Sequence, residues 1–216
     1  MKQQIPPREA ARKRTMLKVK ETLRKSIHLS SLVIPYGYRF ILKDNRKLMF
    51  YVMLAAFAIM LVVEFYRFWQ KSFRKTFWWI FGLVLRRHEL RDFTGATYLL
   101  FSAMLCVAFF EPVIVFFALS FLALGDTFAA MVGINFGRRK IGKGNKSLEG
   151  SLACFAVCFS YALLFGLHPD FYLHPVVAFT GALAATLAEM SGLPVDDNVE
   201  MPLVSALAMA LAKIIF

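Results

Sequence analysis

The segment Gly125–Ser151, GDTFAAMVGINFGRRKIGKGNKSLEGS, begins inside one apolar run and ends where the chain enters the next. A carboxylate within such a run costs about 2.5–3.5 kcal/mol on insertion and by default marks a functional site, so Asp126 is singled out. The loop after it is spaced by glycines, which let backbone N–H groups approach an anion, and is rich in cations for phosphate oxygens. We therefore hypothesise a metal–nucleotide phosphate site at one membrane face, with loop residues Gly133, Gly137, Arg138, Lys140 and Lys146.

A plainer interpretation of the loop stays open. Basic loops between membrane helices arise from charge bias alone, without any ligand. The intramembrane carboxylate, the glycine spacing and the return sequence KSLEGS favour a binding site over a plain connecting loop.

The composition predicts the fold class. Of the 216 residues 58% are hydrophobic and only 19% are charged, and several apolar blocks approach the ~20 residues that cross a ~30 Å hydrocarbon core. We expect an all-α, polytopic integral membrane bundle with about seven transmembrane helices and additional interfacial amphipathic helices. The basic segment 1–25 precedes a single membrane-embedded catalytic domain, 26–216. The three cysteines are expected to be small buried residues.

The predicted spans are interrupted by one unusual segment. Residues 67–92 mix seven basic residues with three tryptophans, and their apolar piece, Phe77–Leu85, is too short to span, so we expect an interfacial helix there. The first span contains Pro35 and Gly37 and is expected to be kinked. The spans are about 26–42, 47–66, 93–110, 113–134, 148–166, 173–190 and 201–216.

Charge distribution predicts the orientation. The net charge of +12 could indicate nucleic acid, but the charges lie between apolar blocks, so we expect contact with anionic lipid and no nucleic-acid partner. With a cytoplasmic amino terminus, 21 of the 26 lysines and arginines face the cytoplasm. The protein is then multi-pass in a bacterial inner membrane or an ER-type membrane. One cytoplasmic face collects Arg24, Lys25, His28, Glu64, Asp126, Lys146, Glu189, Asp196, Asp197 and Asn198.

Two motifs together resemble the CTP-dependent lipid kinases, a family that includes dolichol kinase, phytol kinase and the yeast-type diacylglycerol kinase. They are GDTFAAMVGINFGRRKI with NKSLEGSLA, and VDDNVEMPLVSAL; RKSIH and RRHELRDFTGATYLL are also similar. The resemblance implies phosphorylation of a lipid alcohol by CTP at the cytoplasmic face. It implies that Asp126 is the essential acid and that Arg24 and Lys25 are a basic pair near the phosphates. Gly133 would close the phosphate-proximal turn, and the nucleotide loop would include Asn145, Lys146, Ser147, Glu149 and Gly150.

The site chemistry expected for such a reaction is alignment and charge neutralisation. Mg²⁺ held by Asp126 and by Asp196 or Asp197 would bridge the triphosphate, and Lys146, Arg24 and Lys25 would stabilise charge on its oxygens. A proton acceptor for the hydroxyl would be Asp197, Glu149 or Glu189, in no fixed order. Asn198 is expected near the nucleotide. His28, Glu64 and Glu189 are expected near the substrate.

Two other functions stay open at this point. The central motif is also similar to that of phosphatidate cytidylyltransferase, which makes CDP-diacylglycerol. A transporter also carries intramembrane carboxylates, although this chain shows no internal repeat. The Ala- and Gly-rich sixth span would permit a homodimer.

Overall fold

The structure is a computed structural model, and it describes residues 7–86, 89, 91–141 and 146–216. Across these residues the chain is helical, and β-type pairing is limited to an isolated bridge between Lys140 and Ser147. The predicted all-α fold is therefore confirmed. The helices are α1 (Pro7–Leu29), α2 (Val33–Tyr36), α3 (Arg46–Trp69), α4 (Lys71–Phe81), α5 (Gly95–Phe109), α6 (Pro112–Phe136), α7 (Leu148–Gly166), α8 (Pro175–Ser191) and α9 (Asp197–Ile215).

Helix α6 is the centre of the bundle and contacts α1, α2, α5, α7, α8 and α9. Its residues are apolar around the whole circumference, which is typical of a helix enclosed by others. Fourteen of its 25 residues are buried. Helix α3 is equally apolar but buries only four of its 24 residues, so most of its surface is available to lipid.

Four helices are long and apolar enough to cross a membrane: α3, α6, α7 and α9. They correspond to the second, fourth, fifth and seventh predicted spans. Helices α5 and α8, at the third and sixth predicted spans, are apolar but have only 15 and 17 residues. In the described part of the chain, the protein is thus helical with four candidate membrane spans and two shorter apolar helices.

The first predicted span is a broken helix. Helix α1 runs through residue 25, where the sequence suggested a boundary, and it is followed by a 3₁₀ turn, Ser30–Leu32, then α2, then a π-type turn, Gly37–Ile41. Pro35 lies in α2 and is buried. Proline removes one N–H donor and its ring crowds the preceding turn, so irregular hydrogen bonding on both sides of it is expected.

The predicted interfacial helix is present as α4, but its bounds differ. It begins at Lys71, six residues before the apolar piece expected from the sequence, and ends at Phe81. The basic residues before the apolar piece therefore belong to the same helix. Trp79 is 85% exposed and Trp69, just before the helix, is 87% exposed. Tryptophan and lysine at such positions are typical of a helix lying at the membrane–water boundary.

Small residues let the central helices approach closely. A Cβ atom on Gly125 would lie 2.8 Å from the sulfur atoms of both Cys154 and Cys158, so α6 and α7 are in contact there. A Cβ atom on Gly181 of α8 would lie 2.6 Å from Sδ of Met209 in α9. Close packing through small residues is the main drive for helix association in lipid. The three cysteines are buried, as predicted.

We predict that Gly181→Ala destabilises the bundle by about 1–3 kcal/mol, because the added methyl group overpacks the α8–α9 contact. The matched control is Gly37→Ala, also at a helical glycine, where an added Cβ meets nothing within 4 Å. Thermal unfolding of the purified variants in detergent measures the difference. Equal melting temperatures for the two variants would contradict the close packing.

Candidate active site

The loop between α6 and α7 is closed by backbone pairing. The amide of Ile141 donates to the carbonyl of Lys146 at 3.0 Å, and the amide of Leu148 donates to the carbonyl of Arg139 at 2.9 Å. These bonds return the chain to the end of α6 and place the start of α7 beside it. Asn145, predicted to bind the nucleotide, lies outside the described residues.

Three predicted glycines of this motif lie around the hydroxyl of Ser147, which caps α7 by accepting the amide of Gly150 at 3.2 Å. A Cβ atom on Gly137 would fall 2.6 Å from that hydroxyl oxygen, and one on Gly133 would fall 3.0 Å from it. A Cβ atom on Gly150 would fall 2.6 Å from the carbonyl of Ala129. In this structure the glycine spacing therefore serves the close approach of α6 and α7.

Glu149 organises the same loop. Its carboxylate accepts hydrogen bonds from the backbone amides of Arg138, at 3.1 Å, and Arg139, at 3.2 Å. Carboxylates at the first turn of a helix are also favoured by the helix dipole. The carboxylate is thus engaged with the backbone of the loop that was predicted to bind phosphate.

Lys146 is the centre of a polar cluster that joins the loop to α8 and α9. Its ammonium group lies 3.1 Å from Oδ1 of Asp197 and 3.6 Å from Oε1 of Glu189, and it also donates to the backbone carbonyl of Glu189. Ser151 donates to Oε2 of Glu189 at 3.0 Å. Burial opposes the charge of Lys146, but the carboxylates of Asp197 and Glu189 outweigh it and raise the pKa of its ammonium group.

Asp126 forms a second cluster with α1. The ammonium group of Lys25 donates to Oδ2 of Asp126, and both residues are buried. Nε2 of His28 is 3.5 Å from the same oxygen and makes no hydrogen bond, although it is buried. Thr127 donates to the carbonyl of Lys25 at 3.4 Å. Helix α1 is therefore fixed against α6 at the intramembrane carboxylate.

The two clusters lie close enough for the charge of Asp126 to favour the charged form of Lys146, which Asp197 contacts directly at 3.1 Å. Arg24 pairs with Glu21 in its own helix and also interacts with Asp126. The basic and acidic residues predicted to form one site thus lie in one region of the fold, although they are divided between two groups of direct contacts.

Arg86 belongs to this region and was not predicted as a site residue. Its guanidinium group lies 3.5 Å from Oδ2 of Asp196, which caps α9 by accepting the amide of Asn198 at 3.0 Å. In the sequence Arg86 appeared as one of the basic residues of an interfacial segment and as the first residue of RRHELRDFTGATYLL, a stretch similar to the lipid kinases, but no role was predicted for it. No local pattern distinguished it from its neighbours, because its partner lies 110 positions further along the chain.

A cavity of about 840 Å³ connects the Asp126 cluster with an apolar chamber between α1, α3, α4 and α5. Its charged end is formed by side chains of α1 and α6 and of the segment before α5. The rest of its lining is mainly aliphatic and aromatic. The charged and polar residues at the first end are Arg24, Lys25, His28, Arg86, Glu89, Asp126 and Asn198.

Comparison of the sequence with known proteins shows the family. CTP-dependent diacylglycerol kinase 1 of Schizosaccharomyces pombe is 30% identical over 156 residues, which are 65% of this chain and 70% of that protein. The protein of the same name from Eremothecium gossypii is 26% identical over 181 residues, 73% of this chain but only 56% of that protein. A dolichol kinase of S. pombe is 35% identical over 85 residues, 38% of this chain and 16% of that protein.

The chain belongs to the CTP-dependent lipid kinase family. The resemblance predicted from the two motifs is therefore confirmed. No family model and no solved structure matches the chain.

In this member of the lipid kinase family, the three carboxylates predicted to bind Mg²⁺ do not form one cluster. Each pairs with a basic side chain instead: Asp126 with Lys25, Asp196 with Arg86 and Asp197 with Lys146. Among the described residues, no three His, Cys, Asp or Glu side chains gather closely enough to hold a metal ion. A protein cage for Mg²⁺ does not fit this arrangement. Magnesium bound through substrate phosphates needs only one or two carboxylates, and it stays a prediction.

Glu64, predicted to contact substrate, is fully buried and engaged by its neighbours. Oε1 accepts the amide of Thr94 at 2.8 Å and the hydroxyl of Thr97 at 3.0 Å, and Oε2 accepts Nε of Arg67 at 2.6 Å. The other guanidinium nitrogens donate to backbone carbonyls of the segment before α5. Glu64 does not line the cavity. Its contacts hold that segment, and with it Arg86, against the end of α3.

We predict that Arg67→Met lowers the free energy of unfolding by about 3–5 kcal/mol, because it leaves the buried charge of Glu64 unpaired. The control is Lys213→Met, which breaks an exposed pair with Glu111 and costs about 0–1 kcal/mol. Denaturation in detergent measures both. If Arg67→Met unfolds like the control and only raises KM for the lipid acceptor, Glu64 acts on substrate as the sequence suggested.

Proposed function

We propose that this protein transfers the γ-phosphoryl group of CTP to the hydroxyl of a membrane lipid alcohol, with diacylglycerol as the first acceptor to test. Family membership supports CTP and a lipid alcohol, and both relatives named CTP-dependent diacylglycerol kinase 1 support the choice of acceptor. The main observation behind the proposal is a cavity in which Asp126 and four basic side chains adjoin an apolar chamber.

The triphosphate is proposed to occupy the space between the two polar clusters. Lys146 on the loop side and Arg24, Lys25 and Arg86 on the cavity side supply positive charge for the phosphate oxygens. Such preplaced charges stabilise the transferring group where water is excluded. The buried Nε2 atom of His28, which lacks a hydrogen bond, gives one more polar group for a phosphate oxygen or a hydroxyl.

The acceptor hydroxyl is proposed to lie at the charged end of the cavity. Its oxygen forms a bond to the γ-phosphorus of CTP while the bond from that phosphorus to the β–γ bridging oxygen breaks, and CDP leaves. A carboxylate accepts the hydroxyl proton. Two carboxylates line the cavity, Asp126 and Glu89, and both oxygens of Glu89 already accept backbone amides. Asp126 is therefore our proposed proton acceptor.

This choice differs from the three proton acceptors expected from the sequence. Asp197 and Glu189 are bound to Lys146, and Glu149 is bound to the loop amides. None of the three lines the cavity. We propose instead that Asp197 and Glu189 hold Lys146 in position for the nucleotide, and that Glu149 holds the loop.

We predict that Asp126→Ala and Lys146→Ala each lower kcat by on the order of 10²–10³-fold, because Asp126→Ala removes the proposed proton acceptor and Lys146→Ala removes a positive charge near the phosphate oxygens. Both variants are expected to insert in the membrane, and Asp126→Ala is also expected to lower the free energy of unfolding, because it leaves the buried Lys25 without its partner. The control is Lys47→Ala, at an exposed position at the start of α3, far along that helix from Glu64. Wild-type turnover of pure Asp126→Ala would remove this residue from the mechanism.

The product of CTP distinguishes the two lipid-modifying functions. Incubation of the pure protein with radiolabelled CTP and either diacylglycerol or phosphatidate is expected to release CDP with diacylglycerol. Release of pyrophosphate with phosphatidate would instead identify a cytidylyltransferase. If neither diacylglycerol nor phosphatidate supports turnover of CTP, the transporter class becomes the better interpretation.

We propose that the site faces the cytoplasm, which the charge bias of the loops supports. A single cysteine at Arg139 is expected to react with a membrane-impermeant maleimide only after the cells are opened, and one at Asp170 is expected to react in intact cells. Both positions are exposed, and the three native cysteines are buried and serve as a silent background. The reverse pattern of labelling would overturn the orientation.

A further inference from the structure

We propose that the apolar chamber between α1, α3, α4 and α5 holds the hydrocarbon tail of the acceptor, and that α4 sets which tails are accepted. This inference rests on the proposed function and assigns a part of the site that the two motifs do not touch. The chamber belongs to the same cavity as the charged group that contains Asp126, so one cavity combines a charged cluster with a lining that is otherwise mainly apolar. That division matches a lipid alcohol, which has a hydroxyl at one end of an apolar body.

One face of α4 forms a wall of the chamber. The residues of this α4 wall follow the i, i+3, i+4, i+7, i+8 spacing that places side chains on one helix face. Successive rings of the wall are in contact, with centroids of Phe73 and Phe77 6.2 Å apart and those of Phe77 and Phe81 4.8 Å apart. The α4 wall comprises Phe73, Thr76, Phe77, Ile80 and Phe81.

The α4 wall contacts the carboxyl-terminal end of α3. The ring of Tyr66 lies 6.2 Å from the ring of Phe73, and the guanidinium group of Arg67 lies 5.7 Å from the centre of the Phe77 ring. Because Arg67 is also held by Glu64, the wall is tied to the same buried ion pair that positions the segment before α5. The position of α4 against α3 therefore sets the width of the chamber.

The outer face of α4 places the chamber at the depth of lipid head groups. Lys71, Arg74, Lys75 and Trp79 are exposed on that helix. Basic residues with tryptophan are favoured at the boundary between head groups and hydrocarbon. A lipid whose hydroxyl lies at this boundary can bring its head to Asp126 while its tail stays in an apolar environment.

The nucleotide is a poor match for the same chamber. The base and ribose of CTP carry polar groups that cost about 1–3 kcal/mol each when buried without hydrogen bonds. The one polar side chain of the α4 wall, Thr76, already donates its hydroxyl to the carbonyl of Ser72 at 3.3 Å. The chamber beyond the charged end is otherwise lined mainly by hydrocarbon side chains, so it suits a tail and not a nucleoside.

The first test changes the width of the chamber. Thr76→Trp places an indole ring on the α4 wall, and Ser72→Trp, one turn earlier on the same helix and outside the cavity lining, is the matched control. Both positions are exposed, so neither variant disturbs the core. For dioleoylglycerol, Thr76→Trp is expected to lower kcat/KM about tenfold or more, because the indole ring occupies space in the chamber that the long acyl chains need. For dihexanoylglycerol it is expected to lower kcat/KM less than about twofold.

The result is decided by the ratio of kcat/KM for dioleoylglycerol to kcat/KM for dihexanoylglycerol. Ser72→Trp is expected to keep the wild-type ratio of kcat/KM values. An unchanged ratio in Thr76→Trp, whether activity falls or not, would overturn the tail site.

The second test does not depend on turnover. A diacylglycerol analogue with a diazirine in its acyl chain is expected to label the α4 wall on irradiation, and unlabelled dioleoylglycerol is expected to prevent this. Labelling outside the chamber, or protection of the α4 wall by CTP alone, would refute the inference. Labelling of the wall by a protein that releases no CDP would support the tail site while removing the proposed kinase reaction. Release of CDP together with labelling outside the α4 wall would support the kinase reaction and remove the tail site.

Discussion

The buried ion pair between Lys25 and Asp126 is the contact on which the arrangement of the site depends. A buried charge is stable only when it is paired and hydrogen-bonded, so neither residue is easily accommodated without the other. The pair joins α1 to the central helix α6 at the level of the cavity. It also brings His28 and Arg24, on the same helix, to the charged end of that cavity. This ion pair thus places the basic amino-terminal helix α1 beside the site.

Close helix packing makes that contact possible. Gly125 precedes Asp126 and lets α6 lie directly against Cys154 and Cys158 of α7. The glycines at the end of α6 and the start of α7 allow the loop between them to close around Ser147. Lys146 is thereby held beside α8 and α9, where Glu189 and Asp197 accept its charge. Larger side chains at these glycine positions would hold α6 and α7 apart, and the loop would then lie further from Asp126.

The carboxylates that were predicted as site residues share one arrangement: each is held by a cation or by backbone amides. Asp126, Asp196, Asp197 and Glu64 face basic side chains, and Glu149 faces two loop amides. The physical reason is the cost of an unpaired charge in a low-dielectric environment. The consequence for function is selective, because only Asp126 and Glu89 also line the cavity, and only Asp126 keeps its carboxylate free of backbone amides.

The sequence by itself determined the helical class with apolar candidate spans, the break near Pro35, the presence of a helix in the tryptophan-rich segment and the family. These depend on local composition and on motifs, which are present in the chain before it folds. It also indicated that Asp126, Lys25, His28 and Lys146 belong to one region. Only the tertiary structure decided how they are divided into clusters, that Glu64 is paired with Arg67, and that Arg86 and the face of α4 border the cavity. Those facts depend on contacts between residues far apart in the chain, and no local pattern encodes which distant partner a buried charge will meet.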